Sequence, residues 1–318
     1  MAVNPRNSKN AIITANDYGA QENPILKNVH RLWGSWWVTQ DAGAHWTRHT
    51  LPGMLPDAGS TLSGYAFVGD LVVTFGSDGR AYLAGIAYTV VSHPAAPVAL
   101  YRNALFLATS EDAGDTFSEP QLVDSKTTEV AFHDKPALAV DGHHRLFLVW
   151  NFIDSGQRGA VNDQGMRVAV SDDGAKSWRT DWLSRNDFGI SASIAIDADG
   201  EVNVAWRSYD PYAIRFSRST DHGATFSAPS LLASLTEMDL VLPNTRYRAF
   251  VLPTLVSAKD GALLCVYADR GEQGDSDIFL SRSIDDGKTW DASRLNQDAT
   301  ATAQFLPTIA SGTDGRVV

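Results

Sequence analysis

The chain has 318 residues, 44% hydrophobic and 20% charged, the balance of a globular protein long enough to bury its own core. With 26 Lys and Arg against 37 Asp and Glu, its formal charge of −11 argues against non-specific binding to nucleic acid or to an anionic membrane. Cys265 is the single cysteine, which excludes an intrachain disulfide and a cysteine-rich zinc site.

No stretch reaches the roughly 18 apolar residues of a membrane-spanning helix, so no membrane insertion is expected. The first 20 residues lack the basic-then-apolar layout of a signal peptide. An extracytoplasmic location is expected only if such a peptide precedes this N-terminus.

In chain order, AVNPRNSKNAIITAND (2–17) reads as a shortened strand, a turn and a second strand. Trp33, Trp36 and Trp37 follow in an alternating segment that suits core packing better than a sugar platform. The first of a series of apolar hairpins is LVVTFGSDGRAYLAGIAY (71–88). It is succeeded by LAVDGHHRLFLVWNF (138–152), IAIDADGEVNVAWRS (194–208) and LVSAKDGALLCVYAD (255–269). FLPTIASGTDGRVV (305–318) opens one more. Each is a strand, a tight Asp-Gly turn and a strand, and no segment shows helical periodicity. The Asp-Gly pairs begin at Asp78, Asp141, Asp199, Asp260 and Asp314, so the repeating unit is about 60 residues.

A second signature lies between the hairpins. SEDAGDTF (110–117), STDHGATF (219–226) and SIDDGKTW (283–290) share Ser-x-Asp-x-Gly-x-Thr-aromatic. TQDAGAHW (39–46) and SDDGAKSW (171–178) are degenerate copies, the latter with Ala175 in place of glycine and Gly174 one residue earlier. The pattern resembles the Asp-box, or BNR, repeat of the sialidase-like β-propellers. That resemblance implies an all-β propeller of four-stranded blades, with strands lettered A to D and the Asp-box in the C–D turn. Its glycine, carboxylate and hydroxyls suit a turn-holding role rather than catalysis. Five Asp-boxes and an opened sixth repeat predict a six-bladed propeller over residues 1–318, a single domain lacking most of its last blade. The rival is a five-bladed ring completed by the C-terminal strand.

In such a blade the Asp-Gly and Asp-box turns share one face, while the B–C and D–A loops share the other. The fold resemblance implies ligand binding on that second face. Its candidates include Asn16, Asn151, Arg207, Tyr209, Asp210 and Asp269 at B-strand ends, with Lys135, Arg246 and Arg248 on D–A loops. Arginines among acids suit an anionic or polyhydroxylated ligand, and carboxylates suit acid–base work on a glycosidic bond.

Two stretches stand out. RAFVLPTLVSAKDGALLCVYADRGEQGDSDIFLSRSIDDGKTW (248–290) is similar to the opening catalytic blade of sialidases. The resemblance implies that Arg270 holds substrate and that Asp275 is the general acid/base, with Asp277 as the competing assignment. The family arginine that opens Arg-Ile-Pro falls here on Val251, and Arg248 lies three residues earlier. The second stretch, FHDKPALAVD (132–141), resembles a motif of sialidase-like proteins and carries His133 and Asp134. That pair suits acid–base or metal chemistry, or else loop hydrogen bonding and a satisfied core histidine.

The expectation is a monomeric, cofactor-free and metal-free sialidase-like glycoside hydrolase acting on a sialylated or otherwise acidic glycan. Asp275 or Asp134 would be its acid, with Arg207, Arg246, Arg248, Arg270, His133, Tyr209 and Asp210 around the substrate. The alternative is a non-catalytic Asp-box propeller that binds a glycan or a protein.

Overall fold

The computed structural model describes residues 1–18, 32–53, 59–92, 99–128, 131–154, 163–236, 251–271, 274–298, 302–312 and 314–318. The described chain falls into two compact units, Met1–Asp181 and Trp182–Val318. Its regular structure is β apart from one 3-10 turn at Thr61–Gly64.

The first unit holds three four-stranded antiparallel sheets, each a meander. They are β1 (Ala2–Asn4), β2 (Asn7–Asp17), β3 (Trp33–Thr39) and β4 (Thr47–Thr50), then β5 (Phe67–Phe75), β6 (Ala81–Ser92), β7 (Ala99–Ser110) and β8 (Gln121–Thr128). The third sheet is β9 (Ala131–Val140), β10 (Leu146–Asp154), β11 (Asp163–Ser171) and β12 (Arg179–Trp182). The second unit holds β13 (Gly189–Ile196), β14 (Val202–Tyr209), β15 (Tyr212–Ser219) and β16 (Ser230–Ser234), followed by β17 (Thr254–Ser257), β18 (Leu263–Arg270), β19 (Ser276–Ser283) and β20 (Asp291–Arg294).

Each sheet is one blade. In the fourth blade the second strand is buried on both faces, so VNVAWRS in β14 is enclosed despite its mixed composition, whereas β2 of the first blade has only Asn10 and Ile12 buried. Between blades the side chains interlock: Ile12, Trp36 and Val38 share a core with Leu83 and Phe106, and Ala205, Ile214 and Phe216 share one with Leu263, Cys265 and Tyr267. Trp33 and Trp36 are buried, and each indole N–H donates 2.8 Å to a carbonyl, of Leu51 and of Gly114. They are core residues with satisfied polar ends.

All five Asp-boxes build one network, the degenerate copies included. In the box at 110–117, Ser110 Oγ donates to Asp112 Oδ1 at 2.8 Å and accepts the Gly114 N–H at 2.8 Å. Thr116 closes the turn onto Asp112 through its N–H (2.8 Å) and its hydroxyl (2.6 Å). In the box at 39–46, Thr39 and His45 fill the Ser and Thr places, the imidazole meeting Asp41 at 2.6 Å. In the box at 171–178, Ser177 takes the place of threonine. Two consecutive residues in every box have positive φ: Ala42 and Gly43, Ala113 and Gly114, Gly174 and Ala175, His222 and Gly223, Asp286 and Gly287. The glycine can therefore occupy either place, which is why Gly174 precedes Ala175 in the degenerate copy. The second place also meets the neighbouring blade. A Cβ at Gly114 would collide with Ile12, and one at Gly287 with the Phe216 ring.

Those donors hold the box carboxyls low. Asp173, Asp221 and Asp285 are pulled to about 2, chiefly by the hydroxyl and N–H of the Ser or Thr that closes the turn. Asp41 falls to about 2 through the N–H and imidazole of His45. A carboxyl whose folded pKa is depressed adds stability above its unfolded value near 3.8, and that stability is lost as pH falls toward 2. Acid unfolding is accordingly expected to begin below pH ~4. In the variant Asp285→Asn, circular dichroism should show a smaller loss of stability between pH 4 and pH 2 than in wild type; an equal loss would contradict this assignment.

The Asp-Gly turns also share a pattern, with one shift of register. Gly79, Gly200, Gly261 and Gly315 hold the left-handed position, but in the third blade His144 (φ 65) holds it, not Gly142. There Asp141 plays the part of Gly76 or Asp197, accepting the His144 N–H on its carbonyl at 3.1 Å.

The structure describes five blades, and the reading of residues 305–318 as the start of a sixth is not confirmed by it. Residues 305–318 keep the Asp-Gly turn, with Gly312 N–H donating to Arg316 O at 2.7 Å and one bridge pairing Ser311 with Val317. Five four-stranded blades are described.

Candidate functional site

The first strands of three blades carry the same bulge. In β5, β9 and β13 two residues face one on the partner strand, between the pairs Gly69↔Ile86 and Val72↔Ala84, Asp134↔Asn151 and Ala137↔Val149, and Ile190↔Arg207 and Ser193↔Ala205. The first bulged residue is left-handed each time and is not glycine: Asp70 (φ 49), Lys135 (φ 48) and Ser191 (φ 56). Such backbone costs about 1–3 kcal/mol and persists where the surroundings over-determine it.

In the first unit the bulges bring charge together. Lys135 Nζ donates to Asp70 Oδ2 at 3.2 Å, and Asn16 Nδ2 donates to Asp70 Oδ1 at 3.1 Å. Asn16 Oδ1 in turn accepts the Asp70 N–H at 2.7 Å. The carboxyl of Asp134, next to Lys135 in the chain, is raised from 3.8 to about 6. Burial is the main cause; the charge of Asp70 and its hydrogen bond to Asp134 add to it, while Lys135 opposes them. Tyr88 lies beside the pair, its phenol pushed up by burial and then by Asp70, Tyr18 and Asp134. Asn151, the register partner of Asp134, is 1% exposed, and neither its amide nitrogen nor its oxygen has a partner. This is an acid whose carboxyl is held above its ordinary range, near Asp70 and an amide without a partner.

His133 does not join it. The ring is fully buried on the other face of β9, tilted against Trp150 and Phe152 with centroids 6.1 and 5.1 Å away. Its Nδ1 meets Asn103 Oδ1, and its Nε2 lies 3.3 Å from Asp124 Oδ2, which Arg167 also holds at 2.9 Å. Burial keeps the imidazole below its usual range despite Asp124. Burial pushes Asp124 up, but His133, Lys126 and Arg167 outweigh it and hold that carboxyl low. Expected as a substrate contact, His133 is instead part of the packing between two blades.

The second unit holds the other candidates. Arg207 is 1% exposed, its guanidinium lying 4.3 Å from the Tyr209 ring and 4.7 Å from the Tyr212 ring. Nη2 donates to the Tyr212 hydroxyl at 2.8 Å, whereas Nε and Nη1 have no partner. Asp187, the nearby acid, instead accepts from the Ser208 hydroxyl at 2.6 Å and from Trp206 Nε1 at 3.4 Å. Arg207 thus forms no ion pair among the described residues. The two aromatic faces supply about 2 kcal/mol of cation–π attraction each when desolvated, which offsets only part of the cost of burying the charge.

Of the two competing acids, Asp277 is committed. It is buried, with Arg294 Nε at 2.9 Å, Arg294 Nη2 at 3.0 Å and Asn296 Nδ2 at 2.8 Å on its oxygens. Asp275 lies immediately before β19, half-buried, with Oδ2 enclosed and unpartnered. Arg270 is exposed at the end of β18, its N–H on Asp269 Oδ1, and Asp210 is exposed as well. Val251, at the family arginine position, is fully buried in the core between β13–β16 and β17–β20. Arg246 and Arg248 lie outside the described residues.

Asp70 and Tyr212 escape a reading of the sequence alone. The signal for Asp70 is a lone acid inside the apolar run FVGDLVVTF, at the same bulge place as Lys135. A cavity of about 630 Å³ opens instead at the Asp-box turns of the second unit, where Arg218 faces Glu201, Asp197 and Asp286. Its charges are paired with one another, although Arg218 Nε has no hydrogen-bond partner, and it holds none of the candidates.

Comparison with known proteins supports the fold. A Hadza microbial sialidase, Hz136, is 17% identical, with a TM-score of 0.59 over 93% of this chain and 58% of its own. The NanB sialidase of Streptococcus pneumoniae is 12% identical, with a TM-score of 0.60 over 98% of this chain and 62% of its own. An α-L-arabinanase of Penicillium chrysogenum is 14% identical, with a TM-score of 0.54 over 96% of this chain and 90% of its own. The chain thus spans about six-tenths of the length of these sialidases, and identities this low carry the β-propeller fold alone. No curated protein sequence matches the chain. The BNR repeat-like domain model matches residues 88–318. With its five Asp-boxes each closing a four-stranded blade, the chain belongs to the BNR repeat-like domain family.

Proposed function

We propose that the protein is a glycoside hydrolase that cleaves an acidic glycan, sialylated or otherwise anionic, with Asp134 as proton donor to the leaving oxygen. The observation that carries this proposal is the raised carboxyl of Asp134, about 6 against an ordinary 3.8. A glycosidase acid must hold its proton at working pH, and burial beside a second carboxylate is how proteins arrange that. The anionic character of the substrate is inferred from Arg207, whose Nε and Nη1 are buried without a partner and whose charge has no acidic partner among the described residues. Glycosidases share the fold, which makes the chemistry familiar to this architecture without assigning it.

The test is a panel of fluorogenic glycosides, a sialoside, a uronide and a neutral arabinoside, with wild type, Asp134→Asn and Asp275→Asn. Turnover of an acidic member that disappears in Asp134→Asn and survives in Asp275→Asn is expected. Loss in Asp275→Asn alone would move the acid to the enclosed carboxyl at β19. Acidic glycans bound with measurable affinity but never cleaved would favour the non-catalytic propeller, which Arg207 and its two tyrosines would also serve.

A further inference from the structure

We propose that the Asp70–Lys135 ion pair determines sugar specificity: it grips two adjacent ring hydroxyls of a sugar whose apolar face rests on Tyr88 and Phe132. Sugars with adjacent ring hydroxyls, such as uronides, are thereby favoured over sialosides, whose ring has none. That this sugar belongs to the glycan cleaved rests on the function proposed above, whereas the binding of a diol stands on the geometry of the pair.

The pair is built at a cost. Asp70 (φ 49) and Lys135 (φ 48) are the left-handed residues of equivalent bulges in β5 and β9, and neither is glycine. Their side chains keep 20% and 36% of their surface exposed, and an ion pair so placed contributes less to folding than two strained residues cost. Strain that folding does not offset is characteristic of ligand sites.

The pair is also fixed and only partly used. Asn16 holds Asp70 twice, its Nδ2 donating to Oδ1 at 3.1 Å and its Oδ1 accepting the backbone N–H at 2.7 Å. Lys135 Nζ donates to Asp70 Oδ2 at 3.2 Å, its one hydrogen bond among the described residues. An ammonium carries three N–H donors and a carboxylate accepts at about four sites, so both groups keep capacity. The separation of Nζ and Oδ2 is close to that of two hydroxyl oxygens on adjacent ring carbons. One hydroxyl can accept from Lys135 while its neighbour donates to Asp70. With a carboxylate already in the pair, this place favours hydroxyls over a second anion, so the acidic group of the glycan is not read here.

Aromatic rings complete the site. Phe132 lies two residues before Asp134 on β9 and so shares its face. Its ring meets Tyr88 edge-on at 5.7 Å, and Tyr88 stacks on Phe67 at 5.0 Å. All three are half-buried, and the Tyr88 phenol is close enough to feel the charges of Asp70 and Asp134. A sugar ring offers C–H groups on one face and hydroxyls at its edge, which aromatic rings beside a polar pair match together. Asn151, the register partner of Asp134, is 1% exposed with both amide atoms unpartnered. It adds a donor and an acceptor that the folded chain leaves unsatisfied.

Calorimetric titration tests the proposal with methyl glucuronide, methyl galacturonide, methyl arabinopyranoside and a methyl sialoside. Analogues of the first three lacking the middle hydroxyl are added, and the proteins are wild type, Lys135→Met and Asp70→Asn. A uronide is expected to bind wild type and to lose at least about tenfold in affinity in either variant, or when its middle hydroxyl is removed. The analogue should lose nothing further in Lys135→Met, because the same contact is already gone. Equal affinity of wild type and Lys135→Met for every glycoside would overturn the proposal. So would analogues that bind wild type as their parents do, a sialoside preferred to all the others, or no binding at all. If Asp70→Asn does not fold, Lys135→Met and the analogues decide. Lys135-dependent binding of the arabinoside alone would uphold the diol contact and count against the acidic substrate proposed above. Lys135-dependent binding without turnover would uphold it and count against hydrolysis only.

Discussion

Arg207→Met is expected to leave the protein at least as stable as wild type, by up to about 4 kcal/mol, while abolishing capture of an acidic ligand. The guanidinium is 1% exposed and two of its nitrogens are unpartnered, so its desolvation is compensated only by two aromatic faces and one hydroxyl. A thioether of similar length fills the slot between Tyr209 and Tyr212 without that cost. Arg294→Met should do the opposite. It strands Asp277, buried at 1% exposure, without its cation and should cost about 3–5 kcal/mol. Urea denaturation of the two variants, with calorimetric binding of an acidic glycoside, separates the cases. If Arg207→Met were as damaging as Arg294→Met, Arg207 would be a structural cation and its ligand role would be lost.

Asp134→Asn is expected to lower kcat by about 10²–10⁴-fold with little change in KM. Asparagine keeps the shape of the side chain and its place beside Asp70, but has no acidic proton to give. Stability supplies an independent check. The folded pKa of Asp134 is raised, so its contribution is complete below the unfolded value near 3.8 and is lost as pH rises through about 6. Asp134→Asn does not titrate, so relative to wild type it should gain stability between pH 5 and pH 8. A variant that gains nothing over that range would show that Asp134 is ionised throughout. A variant that turns over at the wild-type rate would remove Asp134 from the chemistry.

The repeats are legible because their chemistry is local. An Asp-box satisfies its own turn within eight residues, so Ser110, Asp112 and Thr116 are recognisable from spacing alone. Even the displaced Gly174 has a local reason, since two successive residues are left-handed. The blade count is less legible: Asp314 and Gly315 form the same turn as their counterparts, so the Asp-Gly signal repeats beyond the five four-stranded blades described. The turn in the third blade misleads in a similar way. Asp141-Gly142 looks like the other pairs, yet His144 takes the glycine place.

The candidate site is legible only as a set of residue types. Asp134 and Arg207 can be chosen from their loops, but what distinguishes them is tertiary. Asp70 lies 64 positions from Asp134, on a strand that reads as plain core, and meets Lys135 through a bulge in each of the two strands that the sequence does not announce. Among 37 acidic residues, sequence cannot say that none pairs with Arg207 in the described structure or that Arg294 claims Asp277. His133 and Asp134 are neighbours in the chain and face different surroundings, the ordinary consequence of strand alternation.

The most direct test of the central claim is the pH dependence of kcat/KM on an acidic glycoside, which reports the ionisation of the free protein. A proton donor with a carboxyl near 6 predicts a rate that falls above pH about 6. A rate that stays level or rises from pH 5 to pH 8 would contradict it, because Asp134 would then be working without its proton.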